Sequence, residues 1–159
     1  MKKIFNVDNL EWELSGYIPH LWELGKGDLV WEAFDKEVQP IKAKVPGSVQ
    51  GSLRDAGIIP DFNIGDNSKL IEWVENRHWV YRALIPEELL NNDLNWTLNC
   101  KGLDYNGWVY LNNKLVGAFE GTHIPHCFKL NDFISKKDNV LEIIFGLAPR
   151  WLGQFGYSS

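Results

Sequence analysis

A chain of 159 residues is long enough for one domain with a hydrophobic core. Its net charge of −5, with acids and bases interspersed rather than in blocks, offers nucleic acid no basic stripe, and no apolar run is long enough to span a membrane. Neither a Gly-x-Gly-x-x-Gly fingerprint nor a Gly-Lys-Ser/Thr loop is present, so no nucleotide or phosphate cofactor is expected.

The N-terminus reads Met-Lys-Lys, then Ile4 to Asp8, with no apolar leader. A cytoplasmic protein is therefore expected, with Cys100 and Cys127 as free thiols; a single disulfide would need an oxidising compartment. His123-x-x-His126 spans an extended, Pro-containing segment, which is a poor spacing for zinc, and no metal is expected. The eight Trp, eight Phe and five Tyr fit core and interface first, and a carbohydrate platform second.

In chain order, Leu10-Glu11-Trp12-Glu13-Leu14 alternates as a strand, with Leu10, Trp12 and Leu14 inward and the two glutamates in water. Gly16, Pro19, Gly25 and Gly27 punctuate; Leu29 to Trp31 and Ile41 to Val45 are further short strands. Ser48 has the place of a helix N-cap for Val49 to Ala56, with Gly57 as the residue that ends it and Pro60 beyond. Asp61 to Asn67 is a polar loop. Ser68 is expected to cap a second short helix, Lys69 to Asn76, with Leu70, Trp73 and Val74 as its apolar stripe.

Trp79 to Ile85, closed by Pro86, is a strong strand, and Leu94 to Cys100 is another. Gly102 to Phe119 reads as a hairpin around Asn112-Asn113, because Asn tolerates the positive φ that a two-residue turn demands. Trp108 and Tyr110 point one way and Val109 and Leu111 the other, so both faces are largely apolar and the hairpin is expected at the middle of the core. His126 to Leu130 is a short strand, Asp132 to Ile134 a helical turn, and Val140 to Phe145 the last strong strand, ended by Pro149. The tail from Ala148 to Ser159 is aromatic rather than polar, which reads as an excised domain. Short strands with frequent turns predict an all-β sandwich or jelly roll with one or two short helices.

Catalytic chemistry is not apparent. Ser48 lacks the Gly-x-Ser-x-Gly elbow of a nucleophile, and Glu72 and Glu75 at i, i+3 read as a solvated helical face rather than an acid/base pair.

Several motifs nevertheless fall in order. They are Val45-Pro46-Gly47-Ser48-Val49, Ala56-Gly57-Ile58-Ile59-Pro60-Asp61 with Gly65-Asp66-Asn67, Trp73-Val74 with Trp79-Val80-Tyr81-Arg82, Gly102-Leu103-Asp104, Val109 to Asn112, Leu115-Val116-Gly117 and Asn139-Val140-Leu141. Together they resemble the N-terminal sugar-binding domain of glycoside hydrolase family 2, most closely its β-mannosidase branch, over about residues 10–150. The resemblance implies a galactose-binding-domain-like jelly roll, residues 1–159 forming one domain of a longer multidomain hydrolase. It implies that the domain packs against immunoglobulin-like domains and a downstream (β/α)₈ barrel, that the acid/base and nucleophile glutamates lie in that barrel, and that this domain is not itself catalytic. A Trp-Asp-Trp segment that reaches the sugar in that family does not occur before Ser159. By the same analogy Asp66, Asn67 and Trp73 are the substrate-binding candidates; the plainer roles are an Asx turn for Asp66, core or interface packing for Trp73 and Trp79, and a structural ion pair or hydrogen bond for Arg82. The implied partners are carbohydrate, through the whole enzyme, and its own downstream domains. Two alternatives stay open: a stand-alone carbohydrate-binding module, or the same domain of a β-galactosidase or β-glucuronidase.

Overall fold

The structure, a computed structural model, describes residues 3–19, 21–24, 36–90 and 93–147. Strands β1 (Trp12–Tyr17), β2 (Val38–Ala43), β3 (His78–Ile85), β5 (Asn106–Leu111), β6 (Lys114–Glu120) and β8 (Asn139–Phe145) form one antiparallel sheet in the order β2-β1-β3-β8-β5-β6. Strands β4 (Thr97–Cys100) and β7 (His126–Lys129) pair antiparallel as a second sheet. Leu98 of β4 and Phe128 of β7 join the buried cluster built on Trp12, Leu14, Tyr81, Val109, Leu111 and Leu141, so the two sheets enclose one core. This is the galactose-binding-like jelly-roll sandwich that the strand pattern and the motifs predict.

The alternation in each strand sets its faces. In β3, Trp79, Tyr81, Ala83 and Ile85 face the core, while Arg82 and Leu84 are exposed on the other side. The expected strand Leu29–Trp31 and the aromatic tail lie outside the described residues. The hairpin has the expected turn, with φ of 53° at Asn112 and 64° at Asn113. Its place differs, however. The β5–β6 hairpin lies at one side of the sheet, and β3 and β8 occupy the middle, because β8 pairs with both β3 and β5. Chain order put the hairpin centrally, whereas long-range pairing decides sheet order. A bulge at Val116 shifts the β5–β6 register, and a second irregularity in edge strand β2 falls next to Pro40.

The outer face of the large sheet is also apolar at one end. Helix α1 (Leu21–Leu24) brings Trp22 onto it. Trp22 packs at 5.2 Å on Trp108 and edge-on at 5.7 Å on Tyr110, and its indole N–H donates to Nδ1 of buried His78. Tyr17, Val80 and Ile144 complete this second cluster.

Asparagine amides lock the strand ends. The Asn112 side chain donates to Phe133 O (2.9 Å) and Asn139 Oδ1 (2.8 Å) and accepts from Val140 N (2.8 Å). Asn139 is fully buried and also accepts from Ser135 N.

Gly107 marks the closest backbone approach. A Cβ there would lie 1.9 Å from the Ile144 carbonyl oxygen and 2.7 Å from Phe119. Gly107→Ala should therefore cost about 3 kcal/mol or more by prying β5 from β8. Gly102→Ala, which meets nothing within 4 Å, serves as the control. Chemical denaturation should separate the two; equal midpoints would show that the β5–β8 approach is soft.

Candidate functional site

Asp66, Asn67 and Trp73 all lie on one element, a 3₁₀ helix from Gly65 to Asn76. The expected α-helix from Ser68 is thus corrected: Ile64 has the N-cap position and makes no side-chain cap bond. With three residues per turn, positions three apart share a face. Ile71 and Val74 face the core; Asp66, Lys69, Glu72 and Glu75 are exposed; Asn67, Leu70 and Trp73 form the face between. The expected stripe of Leu70, Trp73 and Val74 assumed a 3.6-residue period, and the tighter helix leaves Leu70 63% exposed. The same period separates Asp66 from Asn67 and Trp73.

The loop before this helix holds itself by local hydrogen bonds. Asp61 Oδ1 accepts from the backbone and side chain of Asn63, at 3.1 and 3.2 Å, so the Asx turn belongs to Asp61 rather than Asp66. The Asn67 side chain donates to Asp61 O at 2.9 Å, bracing the loop. Trp73 is half-buried and packs, tilted by 50°, at 6.1 Å against Trp79, whose indole donates to Val74 O at 2.9 Å. At the far end Arg77 forms a bidentate pair with Glu37, and the guanidinium hydrogen bonds hold the Glu37 carboxyl below its ordinary range. The segment is thus tied at both ends and presents Asp66 and Leu70 outward.

Arg82 is exposed on the outer face of the sheet, in a cross-strand row with Glu13, Glu142 and Tyr110. Ser48 caps helix α2 (Val49–Asp55) by accepting from Gly51 N at 3.0 Å, and Gly57 takes φ 74° just after it, as the sequence indicates. Among the described residues no group of three His, Cys, Asp or Glu could hold a metal ion. His126 stacks on Phe128 at 6.3 Å, and His123 is exposed in a turn with φ 59°.

The surface clefts among the described residues include the following two. One of about 450 Å³ lies between β2 and α2, lined by Lys42, Lys44, Ser52 and Asp55 among others. The other, about 320 Å³, lies where β3, β8 and the β5–β6 turn meet. Neither includes Asp66, Asn67 or Trp73.

Residues 30–151 match the family model described as glycosyl hydrolase 2 galactose-binding domain-like. The chain belongs to this family. Beta-mannosidase B of Thermothelomyces thermophilus is 27% identical over 127 residues, 80% of this chain and 14% of that protein. Beta-mannosidase A of Aspergillus terreus is 24% identical over 139 residues, 86% of this chain and 15% of that protein. The crystal structure of the beta-D-mannosidase from Dictyoglomus thermophilum superposes with a TM-score of 0.71 at 28% identity, over 91% of this chain and 16% of that one. A Ruminococcus gnavus beta-glucuronidase superposes with a TM-score of 0.56 over 92% of this chain and 22% of that one; at 16% identity it speaks for the fold alone. This glycoside hydrolase family 2 domain thus resembles β-mannosidases, and it spans about one-seventh of the length of the curated relatives above.

The thiols have distinct surroundings. Cys100 pairs in register with His126, and Cys127 with Asn99, so strand alternation turns the two sulfurs to opposite faces; both are free. Burial, with a contribution from Cys127, pushes the Cys100 thiol up to about 11. Iodoacetamide at mildly alkaline pH should therefore modify exposed Cys127 and spare Cys100 in the native protein, as peptide mapping would show. Equal labelling of both would contradict this environment.

Burial also pushes Tyr17 and Tyr81 up to about 12, with Glu142 adding to the rise at Tyr17 and a Ser52 hydrogen bond opposing it at Tyr81. An acid raised in the folded state stabilises the fold below its unfolded value, here 10.0, and that contribution is lost as pH rises through about 12. Stability should fall across that window. Tyrosinate absorbance should show Tyr17 and Tyr81 ionising late, together with loss of native circular dichroism.

Proposed function

We propose that residues 1–159 form the N-terminal, non-catalytic domain of a larger cytoplasmic hydrolase that cleaves β-mannosidic bonds with retention. The observation that carries this reading is the superposition with the Dictyoglomus beta-D-mannosidase, which covers nearly all of this chain and only 16% of the enzyme. Its role is to buttress a downstream catalytic barrel and to shape one rim of the substrate pocket. The rim residues in this reading are Asp66, Asn67 and Trp73. What supports them is the bracing of the 3₁₀ helix by the Trp73–Trp79 contact and the Arg77–Glu37 pair, which tie the element to its neighbours. The exposed Ile64 (64%) and Leu70 (63%) beside them give that face an apolar surface suited to contact with further domains. Two free thiols on opposite faces of a two-stranded sheet accord with a reducing compartment.

A stand-alone binding module needs exposed tryptophan for stacking. Among the described residues Trp12, Trp22 and Trp79 are buried and Trp73, Trp96 and Trp108 are half-buried, which weighs against that reading.

The test compares the 159-residue chain with the longer protein that carries it. The chain alone should release no nitrophenol from a nitrophenyl β-mannoside, and the longer protein should hydrolyse it. In the longer protein, Trp73→Ala should raise KM about tenfold, equivalent to about 1.4 kcal/mol, with a smaller effect on kcat. Hydrolysis of β-glucuronides but not β-mannosides would move the assignment to that activity, and an unchanged KM would remove Trp73 from the rim.

A further inference from the structure

The cleft of about 320 Å³ on the outer face has a composition that separates ligand classes. It is lined by Arg82 of β3, Val140 and Glu142 of β8, Asn112 and Asn113 of the β5–β6 turn, and Ser135 and Asp138 of the preceding loop. Val140 is the one apolar side chain among them, so a flat or greasy ligand has nothing to bury against. One guanidinium set against the carboxyls of Asp138 and Glu142 gives no excess of positive charge, which disfavours phosphate and other anions. Two carboxyls beside an arginine make an equally poor cation site, and among the described residues no group of metal ligands forms there. What remains is a small neutral ligand rich in both donors and acceptors.

The polar groups divide by task. Asn112 spends its amide on Phe133, Asn139 and Val140, and Asn139 binds Ser135 through both amide atoms, to Ser135 N at 2.8 Å and Ser135 O at 3.1 Å. These bonds fix the turn and the 135–138 loop against each other. Arg82, Asn113 and Asp138 are exposed at the cleft, and among the described residues their side chains make no hydrogen bond or ion pair. They supply a fixed donor fork, an amide that both donates and accepts, and a carboxylate acceptor. Adjacent hydroxyls of a pyranose ring, each able to donate and accept, match that set, and the volume suits one ring.

We propose that this cleft is a subsite for a neutral monosaccharide unit, with Arg82, Asn113 and Asp138 as its hydrogen-bonding residues. It is distinct from the 3₁₀ rim proposed above. The choice of mannose as probe rests on the β-mannosidase reading; the site itself rests on the cleft chemistry.

The experiment is a titration of the ¹⁵N-labelled 159-residue chain with methyl β-mannopyranoside, followed in amide spectra, with glucuronate as the anionic comparison. Mannoside should shift resonances of Asn113, Ser135 and Asp138 with a dissociation constant of about 1–10 mM, the range open to so small a ligand. Glucuronate should bind more weakly. Asn113→Gly keeps the positive φ while removing the amide, and Arg82→Gln removes the fork. Each should weaken binding about tenfold without moving the thermal midpoint. Glucuronate binding more tightly than the mannoside would overturn the neutral class. Shifts confined to residues 65–76 would overturn the cleft and leave the rim standing. No shift at either place would also overturn the cleft, while hydrolysis by the longer protein would still decide the β-mannosidase reading by itself.

Discussion

At one end of the sheet, strands β3 and β8 are buried on both faces, and most of the architecture answers that constraint. Their inner side chains, Tyr81, Ala83, Ile85, Leu141 and Ile143, meet the second sheet and helix α2. Their outer ones, His78, Val80 and Ile144, need a cover as well. Each aliphatic side chain so enclosed contributes about 1.5–3 kcal/mol, so leaving the outer cluster in water would forfeit a sizeable share of the net stability. Trp22 on α1 supplies part of that cover, and its hydrogen bond to His78 satisfies a polar ring that is 2% exposed. The polar row Glu13–Arg82–Glu142–Tyr110 begins where the apolar cluster ends.

A second device recurs at the ends of strands, where asparagine side chains stand in for backbone. Asn112 and Asn139 join the β5–β6 turn to the start of β8. Asn131 accepts from Trp96 N at 2.7 Å and donates to Leu94 O at 2.6 Å, tying the approach to β4 to the end of β7. Asn67 and Asn63 do the same with Asp61 before the 3₁₀ helix. A side-chain amide offers both donor and acceptor, so one residue can close a loop that has no ladder partner. Both the proposed rim and the proposed cleft border loops held in this way, and loops held by side chains can keep a binding geometry that free loops cannot.

Much of this was legible because it is local. The capped helix α2 announces itself through Ser48 and Gly57, and the turn at Asn112-Asn113 needs only two residues that accept positive φ. The strands show through alternation, and the family through ordered motifs. Sheet order was not legible, since β8 finds β3 across a gap of 53 residues (86–138) and β5 across one of 27 (112–138), which no local pattern encodes. Helix α1 was hidden by its brevity: four residues after Pro19 give no periodicity, and Trp22 is placed by the cluster it covers. The 3₁₀ helix escaped for a subtler reason. Its residues carry helical composition, but the loop tied to Asp61 starts it at Gly65, ahead of Ser68, and the tighter period rotates Leu70 out and Ile71 in.

That rotation bears on what the domain is for. Aromatic content of this size suggests sugar stacking, yet the described tryptophans are at least half-buried and hold the sheet, the α1 cover and the 3₁₀ helix in place. The large apolar side chains exposed on the 3₁₀ helix and at its N-cap are aliphatic: Leu70 and Ile64. An aliphatic side chain has no π-face to set against a pyranose ring, and it gains most from close packing against other protein. The aromatic residues therefore build the platform, and the exposed aliphatic ones form the surface on which the proposed contact with further domains rests.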